Sequence, residues 1–539
     1  MANRCLLVQN IAGGVSRSNI VKVGLGDSLN LYPETQNPTE HSTALMVRSA
    51  SGQRLFVERE LDGPCRGMYC VPRGIGGKPT LYAVFGRKLY IIGETGSAME
   101  IADIYTSGTE VRMCSTSGYN TAHPHLILVD GLNCYAVDAT LPIASQMTDF
   151  RIIELPHKPD DEYTKIKPSY VAYLYGYLVI NDQDTDAFYT SYHYPFETLV
   201  HDDQTDTDVI DYDIWRLSST DGVGFITYSE WSPDNTVALC SNGSKLYTFG
   251  QYSYQFFSYN NDYNMPFTCP ESCAGNIGIK AERSLAMMGD TMLWLGSNAV
   301  GECGVFMMSG GKIERVSTGD LEREIVQMKN PEQAYSSIWQ EHRHTFYSLT
   351  FEDSKMTYVY DLSEQAWHRR SSFDVKNEQT FWRYSHATYA YGKTMVSTDN
   401  VLCVMDEDRF EEHDGRPILK MRRGGCITSN DQPFFIDSAE IIVNNGQQET
   451  RFFNLVNNDP TRQPDNDINP RVSLRYSWDG GGFCDYFDAF LGKIGEYQWS
   501  TTVWELGRGR FFTLEISTTE KIPFTIQNLK IAWEPSVEF

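Results

Sequence analysis

The sequence has too few basic residues for a surface that grips nucleic acid. Only 45 Lys and Arg stand against 70 Asp and Glu, which gives a formal charge of −25. Proteins that hold DNA neutralise its phosphates with clusters of Lys and Arg. The charge balance therefore argues against a DNA-binding protein and predicts a surface that repels a phosphate backbone.

Long apolar runs are also missing. No stretch approaches the ~18 consecutive apolar residues that a membrane-spanning helix needs. The first residues, MANRCLLVQNIAGG, contain one short apolar stretch, which is too short for the hydrophobic region of a secretory signal. We expect a soluble protein with no membrane-spanning segment.

Cysteine spacings give no metal site and no disulfide framework. The twelve cysteines are scattered, and the closest pairs, Cys65/Cys70 and Cys269/Cys273, do not form Cys-x-x-Cys motifs. A large chain of this kind is expected to carry free thiols in a reducing compartment. The sequence predicts no metal ligands, no cofactor and no disulfide framework.

Catalytic signatures are missing as well. The chain contains no Gly-x-Ser-x-Gly, His-Glu-x-x-His or Walker motif, so we predict no catalytic and no cofactor-binding residues. Paired carboxylates on separate strands can still build a glycosidase, which residue order does not exclude. A carbohydrate-binding or glycan-hydrolysing propeller, of a tail-fibre or sialidase type, is therefore the alternative to a non-enzymatic protein.

Three local patterns resemble functional sites but are more typical of structural elements. His342 and His344 have a spacing that suits zinc, but the surrounding segment, residues 340–370, is typical of β-strands joined by a turn. The motif SWDGG at 477–481 is similar to the Asp-box turn of sialidase propellers, with Cys484 where Trp is usual; that turn stabilises a hairpin. The third pattern is an acidic run that could supply calcium ligands, formed by Asp202, Asp203, Asp206, Asp208, Asp211 and Asp213. It lacks the glycine and the glutamate that an EF-hand loop requires, so a solvated acidic loop is favoured over a calcium site.

What the sequence does contain is a recurring hairpin with a turn glycine. Examples are LYAVFGRKLYII at 81–92, LILVDGLNCYAV at 126–137 and ATYAYGKTMVS at 387–397. The interval from Gly86 to Gly131 is 45 residues, as is that from Gly131 to Gly176. A repeat of ~40–50 residues built from short strands has the size of a four-stranded propeller blade. The alternative is a series of unrelated meanders in stacked sandwiches.

The repeats define the predicted domains. We predict an all-β protein with an N-terminal arm at 1–44, a β-propeller-like domain of six or seven blades at 45–420, and a β-sandwich-like domain at 421–539. The arm should become ordered against the propeller or a neighbouring subunit, with Leu29, Leu31 and Tyr32 as its anchoring strand. A polar loop is expected at 457–471, and a short helix at 319–330 with Asp320 as N-cap and Leu321, Ile325 and Met328 on one face.

Five segments, in order, resemble the packaged-DNA stabilisation or tail accessory (nozzle) proteins of short-tailed bacteriophages. They are LNLYPE (29–34), GPCRGMYCV (63–71), GSKLYTFGQYSYQFFS (243–258), the HTFYSLTF to YVYDLSEQAWHRR region (344–370) and LRYSWDGG (474–481). The acidic insertion near 200 and the loop near 460 depart from that pattern.

The resemblance implies a structural virion protein of the phage tail, assembled in the host cytoplasm. Such proteins form a ring, expected here to be a homohexamer, below the portal and its adaptor. They extend the DNA channel, retain the packaged genome, support ejection and hold a distal plug, needle or fibre. Genomic DNA would pass through without sequence-specific binding, which agrees with an acidic channel wall.

Overall fold

A computed structural model describes residues 5–9, 26–35, 45–117, 123–158, 161–202, 207–215, 225–229, 231–232, 234–262, 265–446, 469–493 and 495–536. Seven antiparallel units, each with four main strands, follow one another along this part of the chain. Four of them are four-stranded sheets, two carry a fifth strand, and one is part of an 11-stranded sheet. First strands of neighbouring sheets lie side by side around a central axis, and His386–Ala390 of the last sheet lies against Cys65–Val71 of the first. The predicted all-β propeller is confirmed, and it has seven blades.

Each of the first four blades is a continuous stretch of chain. Blade 1 consists of Cys65–Val71, Thr80–Phe85, Lys88–Ile92 and Ala98–Asp103, and blade 2 consists of Arg112–Ser115, His125–Val129, Cys134–Asp138 and Arg151–Ile153. Blade 3 consists of Val171–Leu174, Tyr177–Asn181, Ala187–Thr190 and Phe225–Tyr228. Blade 4 consists of Ala238–Asn242, Lys245–Phe249, Tyr254–Tyr259 and Phe267–Thr268, and Ala274–Gly275 also pairs with its third strand.

The last blade is completed by a strand from the other end of the domain. Blade 5 consists of Ala286–Met288, Thr291–Ser297, Cys303–Ser309 and Lys312–Arg315, with Gly278–Ile279 beside the second strand. Blade 6 consists of Tyr335–Glu341, His344–Phe351, Met356–Asp361 and Ala366–Phe373, with Gln379–Phe381 beside the fourth strand. Blade 7 contains His386–Ala390, Lys393–Thr398 and Val401–Asp406. Gly52–Leu55 pairs with Val401–Asp406 as the fourth strand of blade 7 and so closes the ring.

The predicted hairpins are present, but they occupy two different places in the blades. Gly86 and Gly131 turn between the second and third strands, whereas Gly176 and Gly392 turn between the first and second. Gly86 has φ 56°, and a Cβ there would lie 2.5 Å from the carbonyl oxygen of Asp62. Glycine is therefore required both by the backbone conformation and by the close approach of another chain segment.

A β-sandwich packs beside the propeller. One sheet contains Leu31–Thr35, Leu45–Ser49, Thr525–Pro535, Phe434–Val443 and Thr501–Gly509 in that order, with Cys5–Gln9 also paired to Thr525–Pro535. The other contains Asp27–Leu29, Lys420–Arg423, Phe511–Thr518, Arg471–Trp478 and Phe487–Phe490, with Ile427–Thr428 beside Phe511–Thr518.

Alternation of apolar residues places the sandwich core between these two sheets. Along Phe434–Val443, the buried residues Phe434 and Ile436 are followed, after a bulge, by Ala439 and Ile441 on the same inner face. They pack with Leu474, Ile516 and Ile526 among others. A strand buries every second side chain, because successive Cβ atoms point to opposite faces.

The propeller and the sandwich share one continuous sheet. Leu29 pairs in parallel register with Arg369 of blade 6, while Asp27–Leu29 pairs with Lys420–Arg423 of the sandwich. Residues 27–35 and 45–49 thus run with sandwich strands. The division into 1–44, 45–420 and 421–539 stays a prediction. From the pairing we propose that residues 26–35 and 45–50 belong with the C-terminal domain and that the propeller begins at about Ser51.

Helices are few and short within the described ranges. The α-helices are Ile143–Asp149 and Gly319–Gln327, and the 3₁₀ turns are Ile75–Gly77, Glu282–Ser284, Pro331–Gln333 and Glu352–Ser354. The predicted helix is confirmed, with Leu321 and Ile325 buried, but its predicted cap is wrong. Thr318, not Asp320, is the N-cap, because its side chain accepts a hydrogen bond from Leu321 N (3.4 Å). Among the described residues, no helix is both long and apolar enough to cross a membrane.

One expectation about cysteine is corrected. Cys269 and Cys273 form a disulfide that closes the loop between strands Phe267–Thr268 and Ala274–Gly275. Both strands pair with Tyr254–Tyr259, so the fold brings the two sulfurs together after a reversal that the sequence spacing did not reveal. Nine further cysteines of the described part are free.

Candidate functional site

Residues 29–34, LNLYPE, lie where the propeller meets the sandwich, and we call this region the junction. Asn30 adopts the left-handed conformation with φ 52°, which Asn tolerates better than most residues. Its Nδ2 donates to Ser371 O (3.1 Å) and Leu419 O (2.8 Å), and its Oδ1 accepts from Ser371 N (3.1 Å). One buried side chain thereby ties blade 6 to the segment that enters the sandwich.

The neighbouring apolar residues fill both cores, as predicted for the anchoring strand. Leu31 is fully buried in the sandwich core. Tyr32, also fully buried, packs on blade 6, with ring centroids 5.1 Å from His344 and 5.1 Å from Phe346. Burial raises the pKa of Tyr32 far above its ordinary value. Successive residues of one strand therefore face two different domains.

A buried ion pair lies under the junction. Glu341 Oε2 accepts from Arg370 Nη2 at 2.8 Å, and its Oε1 accepts from Ser51 N at 2.7 Å. Burial alone would raise the pKa of Glu341, but Arg370 and the hydrogen bond from Ser51 hold it below the ordinary value. The Arg370 guanidinium lies 5.1 Å from the ring centroid of Trp339, so the charge is also held against aromatic faces.

The structure gives the histidines of residues 340–370 different surroundings. His342 lies in the turn between strands Tyr335–Glu341 and His344–Phe351, with φ 47°, so it does not share a strand face with His344. His344 Nδ1 is 2.7 Å from Asp361 Oδ2, and this carboxylate raises the pKa of His344 although burial opposes it. Burial keeps the pKa of His368 well below its ordinary value, so that imidazole is neutral. The described residues include no group of three or more potential ligands.

Charged side chains from several blades meet on the propeller axis. Glu110, which leads into blade 2, forms ion pairs with Arg283 and with His386 Nε2 (3.1 Å). Arg112 is 3.6 Å from Glu282 and lies over the ring of Tyr170 at 3.8 Å. Beside them is a cavity of about 360 Å³, which His386 and Tyr335 help to line.

The electrostatics of this axial cluster favour ion pairs over acid–base chemistry. Burial would raise the pKa of Glu110, but His386, Arg283 and Arg112 lower it to about 2. Burial would lower the pKa of His386, but Cys65 and Glu110 raise it to about 10. Both groups are therefore charged near neutral pH and neutralise each other.

The Asp-box-like turn is a hairpin brace in the sandwich. Ser477 Oγ donates to Gly481 O at 2.7 Å. Asp479 Oδ1 accepts from Arg510 N (2.8 Å) and Phe511 N (2.9 Å), which start the strand paired with Arg471–Trp478. The carboxylate is occupied by backbone donors, in agreement with the structural interpretation.

Part of the acidic run lies on a two-stranded ribbon, Leu199–Asp202 with Thr207–Ile210, which we call the blade-3 ribbon; its Ile210 packs against the core. It leaves blade 3 between that blade's third and fourth strands. Asp208 lies on the ribbon, 3.2 Å from His201, and Asp211 lies buried behind it. Asp203 and Asp206 lie outside the described residues, as does most of the predicted loop at 457–471.

Sequence reasoning missed several functional groups of the junction and the axis. Lys420 is fully buried and donates to Glu520 O (2.7 Å) and Ile522 O (2.9 Å); burial lowers its pKa to about 7. Glu110, Arg283 and His386 are far apart in sequence and carry no spacing signal. The one sequence signal that pointed to a buried charge was a charged residue inside an apolar strand, as in ILKMRR at 418–423.

Comparisons with solved structures find matches of low similarity. The N-terminal domain of Nup159 matches with TM-score 0.32 and 9% identity over 66% of this chain and 99% of that chain. The extracellular domain of a putative hybrid two-component system, BT4673 of B. thetaiotaomicron, matches with TM-score 0.36 and 10% identity over 72% and 42%. These scores are too low to relate function. A search of curated proteins found no match.

The family comparison is much more specific. A family model described as "Bacteriophage P22 Gp10, beta-propeller" matches residues 28–409. The match begins in the junction and ends just after the last propeller strand, Val401–Asp406. It therefore spans the seven blades and well over half of the chain. The chain belongs to this phage stabilisation family, and it is a β-propeller structural protein of a bacteriophage.

Proposed function

We propose that the protein forms a ring in the phage tail, most simply a homohexamer, whose central channel carries the genome. In this role it retains the packaged DNA and lets it pass on ejection. It would sit in the virion below the portal and its adaptor, hold a distal fibre or needle, and assemble in the host cytoplasm. The observation that carries the proposal is family membership across the propeller.

The charge supports a passive channel. A wall lined by Lys and Arg would bind phosphates through many contacts and slow the duplex, whereas like charge lets it slide. The formal charge of −25 per chain has the required sign. DNA is expected to be guided by repulsion and not by sequence-specific contacts.

The axial cluster indicates where the channel would lie. Side chains of Glu110, Arg283 and His386 meet on the axis of the single propeller, so a duplex has no path through one subunit. A channel must then run between subunits, which requires several copies around a common axis.

The glycan-directed alternative finds little support in these groups. Glu110 and Glu282 line a second cavity beside the axial cluster, of about 630 Å³, and each is paired with an arginine. A glycosidase needs one carboxyl group as acid and a second as nucleophile or base. We therefore propose that the protein is not an enzyme and uses no cofactor.

Salt dependence of assembly tests the ring. Copies that each carry −25 repel at very low salt, and screening over ~10 Å at 0.1 M relieves that repulsion. Sedimentation should show rings favoured as salt rises from a few millimolar to ~0.1 M, with or without the tail adaptor. A strict monomer at every salt concentration, with the adaptor present, would refute the channel.

A further inference from the structure

Arg112, in the first strand of blade 2, places its guanidinium beside the axial cluster without a hydrogen-bond acceptor. Its Nε is buried and unpaired, and the guanidinium makes no hydrogen bond within the part of the chain that the structure describes. The carboxylate of Glu282 is 3.6 Å away, which is an ion-pair distance but too long for a hydrogen bond. An arginine carries five N–H donors, and leaving them unpaired at a largely buried site costs stability. A ligand with paired acceptor oxygens would remove that cost.

The ring of Tyr170 fixes the direction in which these donors point. The Arg112 guanidinium lies over that ring, 3.8 Å from its centroid, and at this distance a flat guanidinium stacks on the aromatic face. Tyr170 is itself held in place, because its hydroxyl donates to Glu282 O at 2.9 Å. A guanidinium donates in its own plane, so its donors point past the edge of the tyrosine ring. Such a pre-oriented pair of donors matches the two oxygens of a carboxylate.

Arg112 lines the cavity of about 360 Å³ on the propeller axis, which we call the axial cavity. Glu282 lines the neighbouring cavity of about 630 Å³. The axial cavity has the size of a small-molecule site, which is ~300–1,000 Å³. The Arg112 side chain keeps 21% of its surface exposed, so solutes can reach it. Part of the wall is apolar and adaptable, because methionines fit irregular shapes; it is formed by Met68, Met113, Leu239, Leu285 and Met287.

The charges beside the axial cavity leave one cation in excess. Arg112, Arg283 and protonated His386 carry three positive charges, whereas Glu110 and Glu282 carry two negative charges at most. Glu110 forms ion pairs with both Arg283 and His386. Burial holds the pKa of Glu282 above its ordinary value although Arg112 opposes this, so Glu282 balances Arg112 incompletely. A surplus positive charge at a partly desolvated site favours an anionic ligand, even in a chain of formal charge −25.

We propose that the axial cavity binds a small organic carboxylate, whose oxygens accept hydrogen bonds from Arg112 and whose apolar part lies against the methionine and leucine side chains. Such a ligand satisfies the donors of Arg112 and completes the local charge balance at once. The site belongs to a single propeller and is separate from a DNA channel between subunits. It therefore adds a ligand-binding site to the structural role.

Titration of the full-length protein with simple carboxylates tests the site. Acetate, benzoate and octanoate are compared by calorimetry at constant ionic strength, with neutral benzamide as the matched control for benzoate. Benzoate and octanoate should bind more tightly than acetate, because their apolar parts are buried against the cavity wall. Benzamide should bind at least ~10-fold more weakly than benzoate, since charged hydrogen bonds are the stronger ones.

Three outcomes of these titrations would overturn the proposal. The first is equal affinity for benzamide and benzoate, which would remove the requirement for a negative charge. The second is a lack of saturable binding of all three carboxylates up to ~10 mM. The third is tighter binding of inorganic phosphate than of benzoate, because the apolar wall would then contribute nothing.

Substitutions assign the binding to the axial cavity. Arg112→Gln should weaken benzoate binding at least ~10-fold, because it removes the charged donors. Arg151→Gln is the matched control, since Arg151 on the same blade also lies 3.8 Å from the centroid of a tyrosine ring, that of Tyr212. This control should bind benzoate as wild type does. Unchanged binding by Arg112→Gln, or an equal loss in Arg151→Gln, would show the assignment to be wrong.

A second variant decides the question if Arg112→Gln does not fold. Met287→Trp fills the axial cavity from its apolar wall and leaves the charged side chains in place. It should weaken benzoate binding at least ~10-fold, because an overfilled cavity excludes the ligand. Undiminished binding by Met287→Trp would place the ligand elsewhere and overturn the site. Every titration uses the full chain in whatever state it assembles, so the result does not depend on the proposed ring.

Discussion

Replacing Asn30 measures how strongly the junction couples the two domains. Asn30→Ala removes three hydrogen bonds, to Ser371 O, Leu419 O and Ser371 N, from a buried site. Each is worth about 1 kcal/mol net. Alanine at φ 52° adds about 1 kcal/mol of backbone strain. The free energy of unfolding should therefore fall by about 4 kcal/mol.

Two further variants separate those contributions. Asn30→Gly loses the same hydrogen bonds without the left-handed strain, so it should be about 1 kcal/mol more stable than Asn30→Ala. Asn377 is an exposed asparagine at φ 60°, and Asn377→Ala should cost only the strain, about 1 kcal/mol. Urea unfolding followed by tryptophan fluorescence gives the differences. If Asn30→Ala and Asn377→Ala shift the midpoint equally, the junction hydrogen bonds add nothing to stability.

Three other outcomes are expected. The pKa of His386 is about 10 in the folded protein against an ordinary 6.5, so the stability that protonated His386 contributes is complete below pH 6.5 and is lost as the pH rises toward 10. The melting temperature should therefore fall less between pH 7 and 9 in His386→Gln than in wild type. An equal fall in both proteins would contradict the axial ion pair. Deletion of residues 1–44 removes the buried side chains of Leu31 and Tyr32, whose burial stabilises the fold by about 1.5–3 kcal/mol each. The deletion should therefore lower both the stability of the fold and the extent of assembly. An unchanged melting temperature and unchanged sedimentation would contradict this prediction. Prolonged chelation should leave the melting temperature within about 1 °C, since a structural metal would contribute directly to folding.

The hairpin pattern was predictable because turn glycines and alternating apolar residues are local signals. The sequence located one hairpin per blade, yet it did not show which strands each hairpin joined. Gly176 to Gly243 spans 67 residues because the blade-3 ribbon is inserted before that blade's last strand. The Thr318 cap was missed because Ser, Thr and Asp are all good N-caps, and only the local backbone decides among them.

The junction and the axial cluster were less accessible to sequence reasoning. LNLYPE was recognised by resemblance, but its strand pairs with residues near 48, 369 and 421, which no local pattern encodes. Glu110 and His386 are separated by 276 positions. The disulfide at Cys269 and Cys273 depends on a reversal between two short strands. Each of these features follows from tertiary contacts between segments that are distant or irregular in sequence.

The strand Gly52–Leu55 has a consequence for how the chain acquires its structure. It completes blade 7 only when Val401–Asp406 is available, and Leu45–Ser49 pairs with Thr525–Pro535 at the far end of the chain. Contacts of such large sequence separation slow folding, because loop closure must precede any gain from pairing. During synthesis the early strands must wait on the ribosome for partners nearly 500 residues later. We expect blade 7 and this sandwich sheet to form late, after these distant strands have been made, and the unpaired edges to need chaperone protection until then.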